Sequence, residues 1–251
     1  MKKMRKIYFC PKCKSWRGNE TKCPECGKST IPTEVPIKRG SYYYIPGIPK
    51  PLPAVTSVLE VLAKPALITW AAKTAAKAAL ANPWMSEKEA TTSIYKSKEK
   101  AGARGKDIHK VIENLIRGKI TKQNGPIGKY IEAYKAFQKT TPHRVLASEK
   151  IVYSKKYGFA GTLDCIAKLK SGEIVILDFK TGKNVYWEAS LQLSAYLQAL
   201  TEMFPKSKVP EKTFVVHLKP NGTFSLVEMT APLVIFLSCM KIWQWREFIE
   251  K

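Results

Sequence analysis

Two acidic side chains and a lysine stand on consecutive apolar stretches of the sequence, and their types suit them to chemistry. Asp164 lies on the first stretch and Asp178 on the second, where Phe179 and Lys180 follow directly. Side chains on a strand alternate between faces, so Asp178 and Lys180 share one face while Phe179 points to the other. A carboxylate beside a lysine on one face, with a second carboxylate on the neighbouring strand, predicts a polar site on a sheet.

The turn between the two stretches decides whether the carboxylates meet. If residues 170–172 form a three-residue turn, Asp164 falls directly opposite Asp178. Residues directly opposite on antiparallel strands have Cβ atoms roughly 4.5–5.5 Å apart. A two-residue turn would place Phe179 there and spoil the site. The site therefore requires an odd turn length or a compensating bulge.

Two carboxylates at this distance repel each other, which indicates a cation between them. Their hard oxygen atoms select Mg²⁺ or Mn²⁺. Such an ion lowers the pKa of a water and polarises a phosphoryl group, and Lys180 beside it would orient or deprotonate that water. The set predicts hydrolysis of a phosphodiester. An isolated Asp-x-Lys strand is most often a surface ion pair, but the preceding carboxylate strand, the apolar flanks and the polar helix that follows favour a site.

Helices add further candidate groups. The helix predicted over residues 187–204 carries Gln192 and Tyr196 one turn apart. An earlier helix carries His109 and Glu113 at i, i+4 spacing, so these two share a face. A lone helical histidine is usually a solvated or core residue, and only its approach to the carboxylates would make His109 a ligand. An imidazole ligand would favour Mn²⁺ slightly.

Four of the six cysteines form two Cys-x-x-Cys pairs separated by nine residues, namely Cys10, Cys13, Cys23 and Cys26. Four thiolates suit tetrahedral Zn²⁺. A short segment without a hydrophobic core also needs a metal ion or a cross-link to be stable. Two disulfides are an alternative, which a cytosolic chain would not keep, and a metal cluster is another. We predict a structural zinc ribbon over residues 1–35.

The formal net charge is +23, from 43 Lys and Arg against 20 Asp and Glu. Such a charge indicates an anionic partner, and nucleic acid comes first because Lys and Arg release counterions from phosphates. An acidic membrane surface would require a basic amphipathic helix with a clean apolar face, which we do not find. A lysine-rich surface set by growth conditions is the remaining alternative. The ribbon region is itself basic, so it would serve either nucleic acid or a docking partner.

A proline-rich linker is predicted over residues 36–55 and one mixed α/β domain over residues 56–251. Apolar spacing predicts helices over 56–81 with a break at Pro65, 86–117 with an interruption near 102–105, 126–139, 187–204 and from 233 onward. Strands are predicted over 145–152, 159–169, 173–180, 214–218 and 223–227. Helices should pack around a central, mostly antiparallel sheet.

Membrane insertion is not expected from the sequence. No apolar run approaches the ~20 residues that cross a bilayer. The basic start is not followed by the apolar core of a signal peptide. The expected location is the cytoplasm.

Jointly, these motifs resemble the RecB-type branch of the PD-(D/E)xK nuclease superfamily, with features of phage and plasmid nuclease domains. The proline of the superfamily's name is Leu163 here, which is usual for this branch. The matching motifs lie between residues 50 and 205 and are Gly161-Thr162-Leu163-Asp164, Asp178-Phe179-Lys180, Gln192 to Tyr196, Gly105 to His109, and Pro53 to Leu59 followed by Lys64-Pro65.

The resemblance implies a restriction-endonuclease-like core, with a central mixed sheet flanked by helices. It implies that the metal ligands are His109, Asp164, Asp178 and the carbonyl of Phe179. Lys180 would position the water, and Gln192 and Tyr196 would steady Lys180 or the substrate phosphate. The implied catalytic set is therefore Asp164, Asp178, Lys180, Gln192 and Tyr196.

Other positions match the family less securely. Glu149 matches an acidic position on the preceding strand, and Glu113 is a candidate partner for His109. Iron–sulfur members of the family spread their cysteines across both ends of the nuclease domain. Here the clustered cysteines all precede it, which favours zinc, while Cys165 and Cys239 are typical of small core residues.

The function indicated is a metal-dependent deoxyribonuclease with an N-terminal zinc ribbon. Single-stranded or end-bearing DNA is the expected substrate of an exonuclease in DNA repair, recombination or replication. A helicase or replication protein is a candidate partner. The alternatives are a non-catalytic nucleic-acid-binding module and a subunit of a repair or replication assembly.

Overall fold

The computed structural model describes residues 6–10, 15–16, 22, 26–29, 31–34, 36–119, 125–141, 143–205 and 209–250, with only the main chain at 6–10, 15–16 and 31–34. The strands are β1 (Lys6–Cys10), β2 (Ser15–Trp16), β3 (Ile31–Glu34), β4 (Ile37–Arg39), β5 (Tyr42–Tyr44), β6 (Leu52–Pro53), β7 (His143–Ser154), β8 (Phe159–Leu169), β9 (Ile174–Lys180), β10 (Lys212–Leu218) and β11 (Phe224–Glu228). The α-helices are α1 (Val55–Val58), α2 (Pro65–Ala81), α3 (Glu87–Ile116), α4 (Pro126–Thr140), α5 (Glu188–Met203) and α6 (Leu233–Ile249), and a 3₁₀ turn (Leu59–Val61) follows α1.

The central sheet has five strands in the order β11-β10-β9-β8-β7. All neighbours are antiparallel except β9 and β10, which are parallel. A parallel pair needs a crossover connection, and α5 supplies it between these two strands. The predicted fold class, a mixed sheet flanked by helices, is confirmed.

Each face of the sheet packs against its own helices because strand side chains alternate. On one face Ile166 and Ile176 pack with residues of α1, α5 and α6. On the other face Leu177 and Phe179 pack with residues of α3 and α4. Cys165 and Cys239 are buried in these cores, as the sequence predicted. The sheet is thus covered on both sides, and its polar residues at one end are positioned by a rigid support.

Part of the predicted linker is folded onto the domain. Strands β4, β5 and β6 form a small antiparallel sheet. Tyr43 on β5 is 1% exposed and clusters with Ala160 of β8. Its hydroxyl lies 2.9 Å from Thr162 Oγ1. Pro53 lies on an edge strand of this sheet, where a missing N–H is tolerated, and the predicted domain bounds stay a prediction.

Helix α3 runs unbroken for 30 residues, whereas the sequence predicted an interruption near 102–105. A capping box between Ser86 and Glu89 satisfies free main-chain donors at its start. The glycines Gly102 and Gly105 lie inside the helix and line a cleft beneath it. Tertiary packing of its C-terminal half, through Ile108 and Ile112, outweighs the poor helix propensity of these glycines.

Replacing Gly102 with alanine should stabilise the protein. A Cβ at this position meets nothing within 4 Å, and alanine is favoured over glycine inside a helix by roughly 0.5–1 kcal/mol. Urea denaturation should show this gain in the free energy of unfolding. No gain, or a loss, would mean that α3 is not continuous at Gly102.

The N-terminal strands form a separate sheet in the order β2-β1-β3. Among the described residues, Cys10 pairs with Ser15, and Lys22 forms an antiparallel bridge with Ser29. Cys13 and Cys23 lie outside the described residues, so the zinc ribbon stays a prediction.

No single helix in the described ranges is long and apolar enough to cross a membrane. The segments Val55–Val61 and Pro65–Ala81 meet that criterion only together, as a pair bent by 81°.

Candidate active site

The register between β8 and β9 is the one the site requires. Cys165 pairs with Leu177, and Leu169 N donates to Glu173 O at 2.9 Å across a three-residue turn. Continuing that register by one residue places Asp164 across from Asp178. The register prediction is confirmed.

A third carboxylate, that of Glu149, lies next to the pair formed by Asp164 and Asp178. Ser148 of β7 pairs with Cys165 of β8, so Glu149 lies across from Asp164. A register shift between Val145 and Ala147 creates this alignment, because one extra residue changes which side chains face the site. Three adjacent strands thus bring Glu149, Asp164 and Asp178 to one level of the sheet, and we name these three residues the carboxylate row.

A histidine from α3 joins one end of the row. His109 Nδ1 lies 3.6 Å from Asp164 Oδ2. One potential ligand atom from each of His109, Glu149 and Asp164 lies within 4.8 Å of the others. This group differs from the expected ligand set, since Glu149 belongs to it while Asp178 faces Lys180.

The electrostatics of the row fit a divalent cation. Partial burial of its carboxylate raises the pKa of Glu149 to about 7, and the charges of Asp164 and Glu113 add to this effect. Burial and the charge of Asp178 also raise the pKa of Asp164. A bound cation would supply the positive charge that these carboxylates lack, and it would favour their ionised forms. Two carboxylates with an imidazole are a ligand set for Mg²⁺ or Mn²⁺.

At the other end of the row, Asp178 belongs to a buried network. Asp178 is 2% exposed, and its Oδ2 lies 2.7 Å from Lys180 Nζ. Lys180 also donates to Gln192 Oε1 at 3.2 Å. The amide nitrogen of Gln192 donates to Asp178 Oδ1 at 3.3 Å and to the Tyr196 hydroxyl at 3.0 Å. The helix spacing of Gln192 and Tyr196 therefore delivers both side chains to the strand pair.

The charge state of Lys180 results from opposing effects. Burial lowers its pKa, but the carboxylates of Asp178 and Asp164 outweigh burial and raise the pKa above its ordinary value. Burial likewise raises the pKa of Tyr196 well above its ordinary value. The site therefore offers an ammonium group and a neutral phenol.

Phe179 anchors the row through its main chain. Its N–H donates to Asp164 Oδ2 at 2.8 Å. Its ring is buried on the opposite face in edge contacts with Tyr134 and Phe137. The ring holds this part of β9 in place, while the expected ligand role of the Phe179 carbonyl stays a prediction.

Gly161 makes room for Tyr196. A Cβ built at Gly161 would overlap Cε1 of the Tyr196 ring. Only glycine allows the ring to approach the strand so closely. The glycine of the Gly-Thr-Leu-Asp motif is thus explained by packing, because any side chain there would displace the phenol that supports Gln192.

The main chain at Glu149 is strained. Its φ of 49° lies in the left-handed region, and no other non-glycine residue in the described part of the chain has a positive φ. This conformation costs an L-residue roughly 1–2 kcal/mol. Strain of this kind is tolerated where function requires it, and here it places a carboxylate beside Asp164.

Glycine at position 149 should give a more stable protein than alanine at the same position. Both substitutions remove the carboxylate, but only glycine relieves the positive φ. The expected difference in the free energy of unfolding is about 1 kcal/mol in favour of Glu149→Gly. Denaturation of the two variants side by side is the measurement, and equal stability would contradict the strained conformation.

The metal-free protein should become less stable as pH rises from about 4.5 to about 7. In that window the folded state keeps a proton on Glu149 that the unfolded chain has released. A divalent cation competes with this proton, so metal affinity should increase over the same window. Thermal melting between pH 5 and 8, with and without Mn²⁺, checks both trends. The Glu149→Gln variant should show a weaker dependence on pH in both.

The row and the network line an open cleft of about 720 Å³ beneath α3. Lys38, Tyr43 and Thr56 also line this cleft, and the sequence did not predict them as part of the site. Lys38 and Tyr43 come from the predicted linker, and Thr56 lies in α1. Glu113 lies in the cleft and forms an ion pair with Arg117 at 2.5 Å, and its role as a partner of His109 stays a prediction. The three consecutive tyrosines of β5 were the feature of the sequence that could have indicated this side of the cleft.

Part of the region that carries the site matches a known protein family. Residues 126–231 match the model of the PD-(D/E)XK nuclease superfamily. No curated protein matches the sequence. A solved crystal structure, that of SSO0001, is 14% identical with a TM-score of 0.35, and the match covers 61% of this chain and 64% of that chain. The segment that the family model matches, residues 126–231, contains the whole carboxylate row, Lys180, Gln192 and Tyr196. Residues 126–231 are a PD-(D/E)XK nuclease superfamily domain.

Proposed function

We propose that the protein is a metal-dependent deoxyribonuclease that hydrolyses phosphodiester bonds. The observation that carries this proposal is the carboxylate row with Lys180 Nζ 2.7 Å from Asp178. Glu149, Asp164, Asp178 and His109 would hold Mg²⁺ or Mn²⁺. When bound, the ion would lower the pKa of a water and polarise the phosphoryl group.

The chain's own residues would supply the remaining chemistry. Lys180 would orient the attacking water and offset charge on the phosphate. Gln192 holds Lys180 and Asp178 in fixed relation through both ends of its amide. The Tyr196 hydroxyl accepts a hydrogen bond from the Gln192 amide and so helps to hold that side chain in place. Such support matters because catalytic groups lose effect when displaced by even 1 Å.

The finer assignment is also a proposal. We infer a RecB-type enzyme that acts as an exonuclease on single-stranded or end-bearing DNA, in repair, recombination or replication. The zinc ribbon, with Zn²⁺ on Cys10, Cys13, Cys23 and Cys26, would dock DNA or a helicase or replication protein. Metal analysis of the purified protein should find one Zn²⁺ per chain. The cytoplasmic location stays a prediction.

Cleavage of labelled single-stranded DNA with Mg²⁺ or Mn²⁺ tests the proposal. The wild type should cleave, while Asp178→Ala and Lys180→Ala should cleave far more slowly. A net charge of +23 would serve a non-catalytic nucleic-acid-binding module equally well. That alternative predicts salt-sensitive binding but no cleavage by any of the three proteins.

A further inference from the structure

Three neighbouring cavities form one path across the candidate active site. The central cleft shares Lys180 and Gln192 with a cavity of about 210 Å³ at the start of α5. It also shares Gly102 and Lys106 with a cavity of about 480 Å³ along α3, which has no lining residue in common with the smaller cavity. The carboxylate row therefore lies in the middle of a longer groove.

An exposed aromatic ring stands at each end of this groove. Tyr186 lines the smaller cavity and is 47% exposed. Tyr95 lines the cavity along α3 and is 69% exposed. Tyrosine is amphipathic, and an exposed ring offers an apolar face to a partner. Aromatic side chains at intervals along a groove are the feature on which unpaired bases stack.

Both end cavities are lined by two lysines and one glutamate. These are Lys98, Lys106 and Glu99 along α3, and Lys64, Lys180 and Glu188 at the start of α5. The positive excess at each end suits the phosphates of a strand that crosses the groove, so the tyrosines are left to contact its bases.

We propose that the smaller cavity is a subsite for one unpaired nucleobase, which stacks on Tyr186. The strand then crosses the carboxylate row and stacks a second base on Tyr95. A base within a duplex already has both faces stacked, so only a single strand or a frayed end can occupy both positions. This inference rests on the proposed function and identifies residues that select its substrate.

Binding to a cleavage-defective protein tests the inference separately from catalysis. In an Asp178→Asn background, a fluorescein-labelled single-stranded oligonucleotide and its duplex are titrated without divalent metal, with fluorescence anisotropy as the readout. Loss of one stacked base should weaken single-strand binding about 5- to 150-fold for Tyr186→Ala and for Tyr95→Ala. Duplex binding should change little.

Matched variants separate stacking from folding. Tyr186→Phe and Tyr95→Phe keep the rings and should bind the single strand like the parent. Trp245→Ala removes an aromatic side chain that is 63% exposed on α6 and does not line the three cavities, and it should also bind like the parent. Alanine variants that bind the single strand as tightly as Trp245→Ala would overturn the inference, even if the wild type cleaves DNA. A wild type that binds as described but never cleaves would overturn the proposed function alone.

Discussion

Replacing Lys180 with alanine should lower the rate of DNA cleavage by about 10²–10⁴-fold, the usual range for a group that assists proton transfer or offsets transition-state charge. Lys180 is the ammonium group 2.7 Å from Asp178 and 3.2 Å from Gln192. Without it, Asp178 stays buried with its opposing charge removed, so some loss of stability should accompany the loss of activity.

Two variants distinguish the role of Lys180 from a general effect of charge. Lys183→Ala removes an exposed lysine three residues away and should cleave like the wild type. Lys180→Arg keeps the positive charge but replaces the ammonium group with a planar guanidinium group. Compared with Lys180→Ala, it should recover more of the wild-type stability than of the wild-type cleavage rate. Steady-state cleavage and urea denaturation of all three variants are the measurements. If Lys180→Ala retained the rate of Lys183→Ala, the proposed role would be wrong.

Replacing Asp164 with asparagine should abolish binding of the divalent cation while stabilising the metal-free protein. Asp164 is the middle carboxylate of the row, and its pKa is raised by burial and by Asp178. Asparagine can still accept the hydrogen bond from Phe179 N, which Asp164 Oδ2 accepts at 2.8 Å. The substitution therefore removes repulsion without removing the anchor.

The two effects can be separated by melting with and without Mn²⁺. At a concentration 100 times its dissociation constant, an ion that binds only the folded state stabilises it by about 2.7 kcal/mol. The wild type should gain this stability, and Asp164→Asn should not. Asp107→Asn, which removes an exposed carboxylate on α3, should respond to Mn²⁺ like the wild type. An Asp164→Asn variant that still gained stability from Mn²⁺ would place the ion elsewhere.

The strand pair that carries Asp164 and Asp178 could be predicted from sequence in detail. Apolar alternation gave β8 its observed bounds, and the turn at 170–172 gave the register, because both depend on neighbours in the chain. The helix spacing of Gln192 and Tyr196 was equally local. Bringing that helix over the strands is a long-range effect, which only the family resemblance supplied.

Features that depend on distant packing were missed or left uncertain. The register shift that aligns Glu149 with Asp164 leaves no mark in the sequence of β7, where apolar and polar residues still mix. Helix α3 passes through two glycines because its packed half holds it, which propensity does not show. The sheet around Tyr43 forms only because β8 is there to cover it.

The central claim is that one divalent cation binds at the carboxylate row. Anomalous scattering from a crystal soaked in Mn²⁺ locates that ion directly. We predict a peak in contact with Asp164, with Glu149, His109 or Asp178 completing its ligands, and no such peak in Asp164→Asn. An ordered wild-type site without a peak, or a peak that persists in Asp164→Asn, would contradict the claim.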